Sequence, residues 1–199
     1  YTHTYTTAGS YTPRLIVSDP FGNEALASVT IYAGNSAPTV QVNAPGTGGF
    51  FAWADEVAFS VSVSDAEDGS TSAGTVEGAG VQVRAFLGPD THTHPLETTS
   101  GCEGTIRLSE GHGGDADQIF QVVEFSYTDL GAEGVPGITT TTEVVLLPNR
   151  LEAEHYDQHQ GVQVEATTDI LGGGSNIGFI DHGDWVRFDE VRLSGIQFL

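Results

Sequence analysis

"EVAFSVSVSDAEDGS", residues 56–70, decides the fold. Val57, Phe59, Val61 and Val63 alternate with small or polar neighbours and run into an acidic turn from Asp65 to Gly69. A period of two places those four apolar side chains on one face of a strand. Asp and Gly at its end are turn formers. The same pattern recurs outward in both directions. Val81, Val83 and Ala85 follow, then Ile119 to Tyr127 and Thr139 to Leu147. Toward the start, Tyr11, Pro13, Leu15 and Val17 alternate, and Ala27, Val29 and Ile31 do so after the turn Asp19-Pro20-Phe21-Gly22-Asn23. No segment holds apolar residues at helical spacing for three turns. Short strands separated by Gly, Pro and Asp turns imply an all-β protein built of antiparallel sandwiches.

The chain of 199 residues has room for one large or two small domains, and 38% hydrophobic content is enough for packed cores. No apolar run reaches the length of a membrane span, and no signal peptide is visible. A start inside what reads as a strand, Tyr1 to Tyr5, implies a mature or clipped fragment. The net charge is -21, and all six basic residues are arginines. Such a surface repels phosphate, which argues against nucleic acid and anionic membranes as partners and against membrane insertion. The single cysteine, Cys102, excludes an internal disulfide, and with no base beside it in sequence it reads as inert. The absence of Lys and Met beside abundant Thr, Ser and Gly suits a secreted protein, extracellular or at the cell surface.

Two joints divide the chain. Gly34-Asn35-Ser36-Ala37-Pro38 is one and Pro148-Asn149-Arg150 the other, which leaves pieces 1–34, 38–148 and 150–199. The outer pieces hold about three and four strands, too few to bury a sandwich core alone.

"HTYTTAGSYTPRLIVSDPFGNEALASVTI", His3 to Ile31, resembles the C-terminal half of a PKD domain, an immunoglobulin-like β-sandwich that serves as spacer or adhesion module. Pro13 departs from that pattern; lacking an N–H, it belongs at an edge or bulge. "NSAPTV", "VSVSDAEDGS" and "FLGPDTHTHP" resemble immunoglobulin-like modules of large secreted bacterial proteins. "LEAEHYD", "GVQVE", "GGGSNIGFID" and "GDWVRFD" follow the order and spacing of the start of a family 6 carbohydrate-binding module, a β-jelly-roll. The resemblances together imply tandem immunoglobulin-like β-sandwiches followed by part of a jelly-roll.

Glu152 and Glu154 are two apart, so on a strand they face the same way, and paired hard oxygens suit Ca²⁺. The resemblance implies a structural calcium there, with its other ligands from the module's far end. It also implies that Glu165 and Phe179 face the sugar cleft. A flat aromatic gives sugar C–H faces an apolar platform, and a carboxylate accepts hydroxyl hydrogen bonds. Phe179 stands where Tyr or Trp is commoner. Trp185, alternating with Val186 and Phe188, is expected in the core. Gly172 to Gly174 allow close backbone passage and positive φ.

Two other clusters carry metal-binding chemistry. His92 and His94 share a face of an extended segment, and His112 is a third imidazole that could complete a Zn or Cu site. Asp65, Glu67 and Asp68 at one tight turn offer oxygens to Ca²⁺ at an inter-domain edge, without the long loop and distal Glu of an EF-hand. No catalytic motif occurs: no Gly-x-Ser-x-Gly, no His-Glu-x-x-His, no phosphate-cradling loop. The expectation is therefore a non-catalytic segment of a larger secreted bacterial protein, which spaces and presents a module that binds neutral polysaccharide. The alternative is a structural subunit of an extracellular filament or surface layer that self-assembles through its sandwiches.

Overall fold

A computed structural model describes residues 2–89, 93–109, 118–168 and 173–193. The protein is all-β. Its described helical segments are two single 3₁₀ turns, Gly78–Gly80 and Ala153–His155. Among the described residues, no helix is long and apolar enough to cross a membrane.

The first piece forms two separate ribbons. Strands β1 (Gly9–Tyr11) and β4 (Ile31–Ala33) pair antiparallel, and between them β2 (Arg14–Ser18) and β3 (Glu24–Ser28) form a hairpin. The hairpin turn is built by Asp19. Its carboxylate accepts from the Asn23 side chain at 2.7 Å and from the backbone N–H groups of Phe21 and Asn23. Those bonds, Asn23's side chain foremost, hold the Asp19 carboxyl below its ordinary pKa. Every residue of β2 and β3 is exposed, including Leu15, Ile16, Val17 and Leu26. The expected opening strand at Tyr1 to Tyr5 is absent from residues 2–5. Aromatic packing replaces a ladder there: Tyr5 stacks on Tyr11 at 4.0 Å, and His3 meets Tyr5 edge-on.

The middle piece is a two-layer sandwich. Its elements are β5 (Thr39–Ala44), β6 (Gly49–Phe51), β7 (Glu56–Asp65), β8 (Gly69–Ser70), β9 (Gln82–Pro89), β10 (His94–Ser100), β11 (Glu103–Arg107), β12 (Ile119–Thr128) and β13 (Thr139–Pro148). One sheet has the order β10-β9-β12-β13-β6; the other is β11-β7-β5, with β8 folding back on β7. The opening stretch lies in the second sheet as read: Phe59, Val61 and Val63 are buried, while Val57 packs at the margin. They meet Val83, Ala85, Val123, Phe125 and Leu146 of the facing sheet. Phe59 and Phe125 touch edge-to-face across the layers, centroids 5.8 Å apart. Cys102 packs against this core, and burial, then the charge of Glu103, pushes its thiol pKa up.

The last piece comprises β14 (Gln158–Gln160), β15 (Gln163–Ala166), β16 (Ser175–Gly178) and β17 (Trp185–Arg187). They make two separate two-stranded ribbons, β14 with β17 and β15 with β16. Val162 is its buried hydrophobic residue among those described. The piece meets the end of the sandwich where the Arg192 N–H donates to the Gly48 carbonyl at 2.8 Å.

Candidate functional site

The ribbon β15–β16 sets the geometry of the expected sugar-facing pair. Its register places Glu165 opposite Asn176. Asn176 Nδ2 donates to Glu165 Oε1 at 3.4 Å. The Glu165 side chain lies across Gly178, so close that a Cβ on Gly178 would overlap its carboxylate. A larger residue there would force the Glu165 side chain to move away. Phe179 follows at once. Its φ is 59°, in the left-handed region that L side chains rarely adopt, and it is 64% exposed. A bulky residue held there costs on the order of 1–3 kcal/mol. The structure therefore places a carboxylate against the glycine that precedes a solvent-exposed aromatic residue. Asn176 joins them, a residue that sequence reasoning passed over. The signal available was its place in the turn-and-strand stretch "GGGSNIGF", two residues before the buried glycine.

The glycine run opens this ribbon. Gly173 and Gly174 have φ of 61° and 89°. The Thr167 N–H donates to the Gly174 carbonyl and closes the hairpin. Gly172 lies outside the described residues.

Glu152 and Glu154 do not sit on a strand. Glu152 caps the 3₁₀ turn Ala153–His155, and Glu154 lies within it. Strand alternation therefore does not align them. The turn still brings both to the wall of one cavity of about 360 Å³, which Thr167, Ser175 and Asn176 also line. Glu152 is ion-paired to Arg150 at 2.9 Å. The pair thus borders the ribbon that carries Glu165.

Trp185 differs from expectation. It is 43% exposed on β17, and its indole N–H donates to Gln160 Oε1 at 3.3 Å on the paired strand. No second layer covers this ribbon among the described residues, so alternation alone does not bury the ring. The neighbouring Asp184 acts on the backbone instead. Its carboxylate accepts from the Asp181 N–H at 2.7 Å and closes the turn through Gly183, whose φ is 99°.

A second cavity, of about 450 Å³, lies between the sandwich end and the last piece. Ile119, Phe120 and Leu147 face Leu151, Phe188 and Val191 across it, with Glu152 and His155 at its wall.

The remaining metal expectations fare differently. His94 is exposed at the start of β10, whereas His92 and His112 lie outside the described residues. Of the acidic turn, Glu67 accepts from the backbone and hydroxyl of Ser36, Asp68 accepts from the Leu130 N–H, and Asp65 accepts from the N–H groups of Glu67 and Asp68. Among the described residues, no group of three or more His, Cys, Asp and Glu side chains is arranged to hold a metal ion.

No solved structure matches the chain. Residues 152–195 match the family model of the carbohydrate binding module (family 6), a family of non-catalytic binding modules; the stretch carries Glu165, Phe179 and the acid pair, and the match supports a carbohydrate-binding role for this end of the chain.

Proposed function

We propose that residues 150–199 are the N-terminal part of a family 6-like jelly-roll that binds neutral polysaccharide, with Phe179 as platform and Glu165 as hydroxyl acceptor. The observation that carries this reading is the exposed ring at a left-handed backbone position directly after the glycine that Glu165 covers. An apolar ring exposed at such a position costs stability and is open to stacking. The net charge of -21 turns away anionic glycans. Glu152 and Glu154 contribute to a structural calcium site in a chain that continues past Leu199. Residues 1–34, as the end of a PKD-like domain, and 38–148, as an immunoglobulin-like sandwich, space and present the module in a secreted bacterial protein whose catalytic activity, if any, lies outside this segment.

Affinity electrophoresis of such a longer chain against xylan, β-glucan and agarose-type polymers tests this. Retardation by a neutral polymer supports it. Failure across a broad neutral panel favours the second reading, assembly into a filament or surface layer by strand exchange. The hairpin β2–β3 is what favours that alternative. It exposes Leu15, Ile16, Val17 and Leu26 together with open strand edges, a surface that invites another chain. Calcium is tested separately. Ligand binding to the folded state adds about 2.7 kcal/mol at a hundredfold excess over Kd. EDTA should therefore lower the melting temperature of the module in the longer chain, and the Glu152→Gln/Glu154→Gln variant should lose that module's share of the response.

A further inference from the structure

Three buried oxygens that accept no hydrogen bond come from three segments that the chain ties together. The first is Asn35 Oδ1, in the joint between the first piece and the sandwich. The second is Asp65 Oδ2, at the end of β7. The third is Asp129 Oδ2, just past β12. Asn35 and Asp129 are only 7% and 5% exposed.

Hydrogen bonds link each segment to the other two. Asn35 Nδ2 donates to Asp129 Oδ1 at 3.0 Å. Ser36, next to Asn35, donates from its N–H and its hydroxyl to Glu67, two residues past Asp65. Leu130, next to Asp129, donates to Asp68 at 2.8 Å. The triangle is closed, so its three segments are held against one another.

Within it, each orphan oxygen has a partner atom that is fully used. Asp129 Oδ1 takes N–H groups from Gly131 and Ile138 as well as the amide of Asn35. Asp65 Oδ1 takes those of Glu67 and Asp68. Asn35 Nδ2 donates to two oxygens, Asp129 Oδ1 and the Pro136 carbonyl, which fixes the amide so that its oxygen is the free end. Tyr127, only 7% exposed, stands two residues before Asp129. None of the ion pairs described involves Asp65 or Asp129.

Buried carboxylate oxygens without donors call for a cation or ordered water. Two carboxylates and one amide carbonyl form an all-oxygen, doubly negative donor set, which matches a hard divalent cation. Because one donor is an amide, the set is not a cluster of three acids. We propose that Asn35 Oδ1, Asp65 Oδ2 and Asp129 Oδ2 are ligands of a Ca²⁺ ion that locks the joint before β5 to this end of the sandwich. Water completes the shell, as the flexible six- to eightfold coordination of calcium allows. Glu67 and Asp68, expected from sequence as ligands, serve instead to brace the triangle. The proposal is independent of the sugar-site reading and of the Glu152/Glu154 site.

The test uses the whole 199-residue chain, stripped with EDTA and titrated with CaCl₂ or MgCl₂. Calcium should raise the melting temperature by several degrees, and magnesium should do so far less. The rise should vanish in Asp65→Asn and Asp129→Asn and persist in Glu152→Gln/Glu154→Gln. Terbium, a luminescent substitute for calcium, supplies a second readout that needs no acid variant to fold. Its emission, excited through the aromatic residues, should saturate, be displaced by calcium and drop in Tyr127→Phe without a change in affinity. Three results would each overturn the proposal: equal melting in EDTA and millimolar calcium with no saturable terbium emission, a calcium response that survives both Asp variants, or emission indifferent to Tyr127→Phe.

Discussion

The sandwich and the last piece use the same strand grammar with opposite results. In β7 and β12, the inward residues from Phe59 to Val63 and from Ile119 to Tyr127 are sealed from water: Val63 is 2% exposed, and Phe125 is fully buried. In β15 and β17, the same alternation leaves Val164 and Trp185 open to solvent. Local pairing is sound in both regions: β7 and β12 in the sandwich, and β15 and β17 in the last piece, each have an antiparallel partner. The difference is the second layer. Two sheets face each other across residues 39–148, whereas β14–β17 and β15–β16 are ribbons without one among the described residues. Alternation makes a strand amphipathic, but only an opposing layer turns its apolar face into a core.

Core truncation should show the largest contrast. Phe125→Ala removes a buried ring that touches Phe59, at a cost of about 3–5 kcal/mol, and should lower the sandwich's unfolding midpoint in urea sharply. Phe179→Ala should leave the midpoint nearly unchanged, because the ring is exposed and Ala keeps the Cβ that strains the position. Binding of neutral polysaccharide by the longer chain should instead fall about tenfold, worth ~1.4 kcal/mol, as read by calorimetry. Phe179→Gly sharpens this further: it suits the left-handed backbone better and should be the more stable of the two while binding no better.

Trp185→Ala in the 199-residue chain is expected to cost less than about 1 kcal/mol, as for a partly exposed site. A loss as large as that of Phe125→Ala would mean that β17 has a second layer after all. The smallest effect concerns Cys102. Its thiol is pushed up, so the reactive thiolate forms at higher pH than in a free cysteine. Alkylation by iodoacetamide should be slower than for an unfolded control at pH 8 and should keep accelerating as pH rises beyond the control's plateau.

The strands and turns of this protein were legible because their determinants are local. The run from Val57 to Val63, the Asp19 turn and the long strands β12 and β13 lie where periodicity put them. Glu165 and Phe179 were nominated by resemblance, and the ribbon β15–β16 sets the Glu165 side chain against Gly178, the residue before Phe179. Glu152 and Glu154 were misread as a strand pair, because a two-residue spacing does not distinguish a strand from the 3₁₀ turn that forms there. Trp185 was assigned to a core because alternation cannot say whether anything lies opposite.

By itself, the sequence determined the class of the fold, its acidic surface and the position of its turns. These follow from side-chain period, charge and backbone preference over a few residues. Tertiary structure alone decided the sheet order, which alternating faces became core, and the meeting of Asn35 with Asp129, 94 residues apart. The physical reason is range. Hydrogen-bonded turns and pleats are set by neighbours in the chain. Burial and long-range hydrogen bonds depend on segments whose separation in sequence carries no information about their separation in space.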